Sequence, residues 1–246
     1  KPPAPSGPAA CVPRRMRPPS SVEPSDDKSS TIRPTVDWVI QLPVLFFSVV
    51  IHECCHGVAA WERGDDTAER AGRLTLNPLS HVDAFGSVFM PMLCLILQAP
   101  VFGWAKPVPV DPSRMKDPRM DAVRVAAVGP LSNFLLAFAA AVAFKLVNMT
   151  GLLGGELRTT LLDVLLFAVT INLFLAFFNL LPVHPLDGSK VLGGLLTGRA
   201  RAAYLRLAPY GMALLLVLLF TRASSAVLLF PIKVVLALWV KLGILG

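Results

Sequence analysis

The feature that most constrains this chain is an apolar run long enough to cross a lipid bilayer, with two histidines inside it. Val36 to Trp61 reads VDWVIQLPVLFFSVVIHECCHGVAAW, and about 20 such residues in a helix span a hydrocarbon core. There the backbone must satisfy its own hydrogen bonds, so a helix is the structure open to this run. A charged side chain at the centre of such a helix costs roughly 2.5–3.5 kcal/mol, yet the run carries His52-Glu53-Cys54-Cys55-His56. His52 and His56 are one turn apart and share a face, which suits two imidazole ligands on one zinc ion. Glu53 lies one residue round, where its carboxylate can take a proton from a water that the metal activates.

Further apolar segments follow at 84–102, 122–148, 161–183, 207–221 and 225–243. With 54% hydrophobic and only 16% charged residues, the chain reads as an all-α polytopic membrane protein. The expected architecture is about five transmembrane helices, a re-entrant segment and a short membrane-associated β element. Residues 1–35, rich in Pro, Ser and charge, cannot bury a core and read as a disordered tail ahead of a membrane domain at 36–246. The net charge of +7 invites a nucleic-acid reading. The basic residues, however, sit in short loops beside apolar segments, as the positive-inside bias arranges them, so nucleic acid is excluded as a partner. Cys11, Cys54, Cys55 and Cys94 form neither a disulfide framework nor a CxxC site.

The loops set the topology. Residues 62–83 contain Arg63, Arg70 and Arg73, and residues 103–124 contain Lys106, Arg114, Lys116, Arg119 and Arg124. Both are expected on the cytoplasmic side, although they flank 84–102. Pro91, Gly86 and Pro100 fit a hairpin that enters and leaves on that side, buried by protein at membrane depth. The basic stretch with Lys190, Arg199, Arg201 and Arg206 fits the same side. The tail, with Arg14, Arg15, Arg17, Lys28 and Arg33, conflicts with this scheme, which puts it outside.

A catalytic zinc takes three protein ligands and keeps a position open. The best candidate for the third is Asp187, in NLLPVHPLDG (179–188), where Pro182 and Pro185 break the preceding helix and Gly188 permits close approach. With 84–102 re-entrant, two crossings separate His56 from Asp187 and the two meet at one depth. A third crossing would send them to opposite sides.

These residues resemble the site-2 protease family of intramembrane zinc metalloproteases, over about residues 36–246. The HExxH motif is met by His52, Glu53 and His56, and NxxPxxxLDG by Asn179, Pro182, Leu186, Asp187 and Gly188. GRLTLNPLSHVDAFGS (72–87), FGWAKPVPVDP (102–112) and Gly-Pro-Leu-Ser-Asn (129–133) look like the short prokaryotic branch that lacks PDZ and CBS domains. The resemblance implies one Zn2+ per chain on His52, His56 and Asp187, Glu53 as general base, and Asn179 near the metal as an oxyanion donor. It also implies a transmembrane protein as substrate and a multi-pass protein of the prokaryotic cell membrane, its active site near the cytoplasmic face. Departures are mild: Cys54 and Cys55 fill positions that are usually apolar, His184 stands where Pro or an aliphatic residue is commoner, and Ser189 replaces a frequent glycine.

Around this core, the stretch 72–80 is expected to offer an edge strand to an extended substrate, with Leu74, Thr75, Leu76 and Asn77 as contacts. Cys54 and Cys55 point off the histidine face and read as small buried side chains. His81 reads as a cap or bridge of the re-entrant loop, His184 as a surface-turn histidine, and Asn133 as a helix-packing amide. Two other classes share parts of the pattern. An inactive relative serving as a membrane scaffold would keep the architecture, but the intact Glu53 argues against it. A zinc transporter would need ligands along several helices, and the sequence has one cluster. The sequence specifies no oligomeric state.

Overall fold

The computed structural model describes residue 1 and residues 34–96, 105–151, 154–221 and 225–245. Among these residues there are helices and turns but no strand. Residues 2–33, most of the expected disordered tail, lie outside the described residues.

Helix α1 (Pro34–Trp61) carries the histidines, and short α2 (Thr67–Arg70) follows it. A π turn (Ala84–Phe89) runs into α3 (Met90–Ile96), then come the long helices α4 (Pro118–Thr150) and α5 (Gly155–Asn179). The chain closes with α6 (Asp187–Leu195), α7 (Gly198–Leu205), α8 (Gly211–Phe220) and α9 (Phe230–Lys241). Local signals set these boundaries. Asp117 caps α4 by accepting from Arg119 N and Met120 N, Pro118 opens it, and Gly151 closes it at φ 59°.

Four stretches of the described residues are long and apolar enough to cross a bilayer: Ile40–Trp61, Pro118–Thr150, Gly155–Asn179 and Gly198–Leu219. That makes an all-α membrane protein. Four of the expected five or so crossings thus meet that length. The fifth segment is a π turn (Ser225–Leu229) that runs straight into the 12-residue α9. Helix α9 turns one face inward and leaves Phe230, Val234, Leu238 and Val240 exposed. Its Ile232 and Trp239 join Val169 and Leu173 of α5 and Ala137 and Ala141 of α4 in one buried cluster. The two alanines let the helices approach closely, and the Trp239 ring sits edge-on to Phe134 and Phe138, each at 5.7 Å.

The segment expected to re-enter begins as the π turn and α3, 6 and 7 residues long, or at most ~20 Å of helix. Residues 97–104, the rest of that segment, lie outside the described residues. Its two flanks nevertheless meet. Arg114 pairs with Asp66 at 3.0 Å, and Asp65, fully buried, accepts from Asp111 N at 2.6 Å. The chain between them therefore leaves and returns at the same end of the bundle.

Candidate metal centre

Helical periodicity puts His52 and His56 on the face of α1 that packs against α4. Both are buried, their rings are perpendicular with centroids 4.7 Å apart, and their Nε2 atoms are 3.1 Å apart. Asp187 arrives from the far end of the chain. Helix α5 stops at Asn179, and the turn through Pro182 and Pro185 is anchored by buried Leu181 and Leu186 against Leu215 and Leu228. Gly188 then lets α6 start hard against that turn: a Cβ there would lie 2.1 Å from Leu180 O. Asp187, first residue of α6, places Oδ2 3.1 Å from His52 Nε2 and 3.0 Å from His56 Nε2.

The other ends of these side chains decide what the cluster can hold. His56 Nδ1 is 2.7 Å from Val125 O, which only accepts, so that nitrogen carries the proton. His52 Nδ1 is 2.6 Å from Asn133 Oδ1 and donates likewise. In the neutral rings both Nε2 atoms then present lone pairs. Facing them is a carboxylate oxygen, while Asp187 Oδ1 is held by Lys190 Nζ at 3.0 Å. With the imidazoles neutral, three acceptors face one another within 3.1 Å, an arrangement that a cation among them, like a proton on Nε2, relieves. A tetrahedral zinc bound at about 2.0–2.2 Å holds its ligands roughly 3.3–3.6 Å apart, so the three atoms need spread by only a few tenths of an ångström. Space is kept by Gly129 of α4, where a Cβ would lie 2.4 Å from His56 Nε2. The residues present fit zinc.

The remaining expected residues are distributed more widely. Glu53, half-buried, accepts from Val108 N through Oε2 at 2.9 Å, which ties α1 to the 105–111 loop. Asn179 sits half-buried at the end of α5, its amide nitrogen donating to Leu175 O; the structure does not hydrogen-bond it to the triad. Leu74, Thr75, Leu76 and Asn77 form no strand. Thr75 O accepts from Cys54 Sγ and from His81 Nε2, both at 2.9 Å, and Asn77 Oδ1 accepts from Leu79 N, turning the chain into a 3-10 helix at 78–81. Backbone and side-chain groups that an edge strand would display are thus used locally. Leu74, Thr75 and Leu76 still line an open groove along α1 with Ile51, Cys55 and Val58. Cys54 and His81 hold that turn through Thr75 O, and His184 packs its ring near Tyr204.

Sequence reasoning missed Gly129, Lys190 and the amide chain behind His52. Asn133 was expected only to pack helices. The available signal was polarity inside apolar segments: Ser48, Asn133 and Asn172 are polar residues in membrane-length helices.

Residues 144–221 match the model of Peptidase family M50. A Bacillus subtilis (strain 168) protein named "Putative zinc metalloprotease YwhC" is 40% identical over 188 residues, covering 75% of this chain and 81% of its own. The chain belongs to Peptidase family M50. A second relative carrying the same description, Rip2 of Mycolicibacterium smegmatis, is 26% identical over 200 residues, 80% of this chain and 74% of its own. No solved structure gives a significant match. Membership of this M50 family agrees with the enzyme class expected from the sequence, a zinc metalloendopeptidase. Zinc is the metal in both relatives' names and the one the donor set fits.

Proposed function

We propose that this chain is an intramembrane endopeptidase that uses zinc to hydrolyse peptide bonds within or near transmembrane segments of membrane-bound proteins. The observation that carries the reading is the buried His52–His56–Asp187 group, built on and beside apolar helices of membrane length with Glu53 next to it. Zinc held by those three residues supplies a Lewis acid that polarises the scissile carbonyl and makes water nucleophilic near neutral pH. Glu53 takes a proton from the attacking water and passes it to the leaving amine nitrogen. With Oε2 engaged by Val108 N, its other oxygen is the one that receives the proton. Asn179 stands at the α5 end of the turn that carries Asp187 and offers its amide to the oxyanion. The burial of both histidines keeps bulk water from the group.

A substrate helix has every carbonyl bonded internally, so it must unwind before attack. Leu74, Thr75 and Leu76, in the groove beside α1, form the wall against which the unwound segment lies, with Asn77 at its exposed end. The basic loops 62–83 and 103–124 support a site near the cytoplasmic face, and the likeness to the short prokaryotic branch supports a prokaryotic cell membrane.

The test is Glu53→Gln. It should retain zinc while cleavage of a transmembrane reporter falls by at least about 10²-fold. Cleavage at the normal rate would remove Glu53 from the chemistry, and loss of zinc along with activity would make it a structural residue.

A further inference from the structure

Ser48, Asn133 and Asn172 stand on α1, α4 and α5 and are 4%, 0% and 3% exposed. Their hydrogen bonds run in one direction. Ser48 Oγ donates its single proton to Val44 O at 2.8 Å, so towards Asn172 it can only accept, and Asn172 Nδ2 donates to it at 2.9 Å. The second Nδ2 proton goes to Ala168 O at 2.9 Å. Asn172 Oδ1 is thereby turned towards Asn133, whose Nδ2 donates to it at 2.8 Å and to Ser48 O at 3.3 Å. With both amide protons used, Asn133 can present only oxygen to His52 Nδ1, 2.6 Å away. Reversing either amide would set donor against donor or acceptor against acceptor.

We infer that Ser48, Asn172 and Asn133 form a positioning relay that fixes His52 in the tautomer with Nδ1 protonated and Nε2 a lone pair. The inference rests on the reading of His52 as a metal ligand. Which nitrogen of a histidine carries its proton is set by the bond the other ring atom makes. For His56 that bond goes to a backbone carbonyl, Val125 O, beyond the reach of side-chain substitution. For His52 it hangs on three side chains from three helices. The relay thus makes zinc affinity depend on how α1, α4 and α5 are packed together, and His56 serves as an internal reference.

The experiment uses the full chain in detergent, labelled with 15N-histidine and stripped of metal. His52 of the unsubstituted protein should resonate as the Nδ1–H form. Asn133→Leu, which fills the space without an acceptor, should give mixed tautomers at His52, leave His56 unchanged, and weaken zinc binding about 10–100-fold in chelator competition. Asn133→Asp keeps an oxygen on His52; Asn172 can turn its amide to donate to the new carboxylate and Ser48 its hydroxyl to donate to Asn172, at the cost of the Asn172 bond to Ala168 O. This variant should retain the Nδ1–H form and bind zinc within about threefold of the unsubstituted chain. Should Asn133→Leu fail to fold, Asn172→Leu, which touches no metal ligand, should give mixed tautomers and about a 3–10-fold weaker site. A pure Nδ1–H signal in whichever leucine variant folds, or equal zinc losses in that variant and Asn133→Asp, overturns the relay. A His52→Ala chain that binds zinc normally overturns the ligand assignment instead, while the tautomer measured without metal still judges the relay.

Discussion

A methyl group at position 129 would lie 2.4 Å from His56 Nε2 and 2.7 Å from His52 Cε1. Both atoms belong to rings already held from behind, by Val125 O and Asn133 Oδ1, so neither ring can step back. Alanine in a helix interior ordinarily favours the helix by about 1 kcal/mol over glycine. Gly129→Ala should therefore keep the helical fold and still lose zinc by 10²-fold or more, with proteolysis falling in step. Metal content and circular dichroism on one sample check this, and a variant that keeps wild-type zinc would remove Gly129 from the site. His52, Glu53, His56 and Asp187 were legible in the sequence because metal chemistry needs particular donors at particular spacings. Gly129 was not. A small residue in an alanine-rich helix looks the same whether its bare side faces lipid, a neighbouring helix or two imidazoles.

At the scale of elements, the metal group depends on how α6 is held. One end is fixed by Gly188 against the turn. At the other, Arg119 of α4 donates from Nε to Gly194 O at 2.6 Å and from Nη2 to Leu196 O at 2.7 Å, taking up carbonyls that α6 leaves unpaired. Gly194 packs close beneath Val123 of α4, so the two helices touch there. Arg119→Met should lower stability by about 1–2 kcal/mol, the net worth of charge-assisted bonds discounted for an exposed guanidinium. A thermal melt reads that loss, and Lys, which cannot serve two carbonyls with a planar fork, should rescue it only in part. An unchanged melting temperature would mean that α6 holds itself. The helices were largely readable from apolar length and from Pro and Gly punctuation. The strand at 72–80 was misread because alternating Leu74 and Leu76 look extended. What bends the segment lies outside it: Cys54 of α1 and His81, six residues on, both bonding Thr75 O.

For the whole molecule, the crossing count is the property that function depends on. His56 and Asp187 meet, and between them lie α4 and α5, two candidate spans. The contacts of Arg114 with Asp66 and of Asp65 with Asp111 close the segment between them at one end of the bundle. A membrane-impermeant maleimide should thus reach single cysteines at Ala71 and Lys116, both exposed, from the same side, in a chain whose own four cysteines are replaced. Labelling from opposite sides would make 84–102 a crossing and break the geometry above. Loop charge and the depth shared by His56 and Asp187 pointed to this topology in the sequence. The number of spans is less legible, because apolarity marks a segment such as 225–243 without saying which of its faces packs on α4 and α5, as Ile232 and Trp239 do.

The bare position on α4 has a mechanical corollary. One residue of rotation turns a helix by about 100°, which would swing Val128 or Pro130 over the imidazoles in place of Gly129. Helix α4 can neither roll nor slip past α1 without shutting the metal pocket. The register of α4 against α1 is therefore part of the metal site, because at that depth only a residue without a side chain leaves room for the two rings.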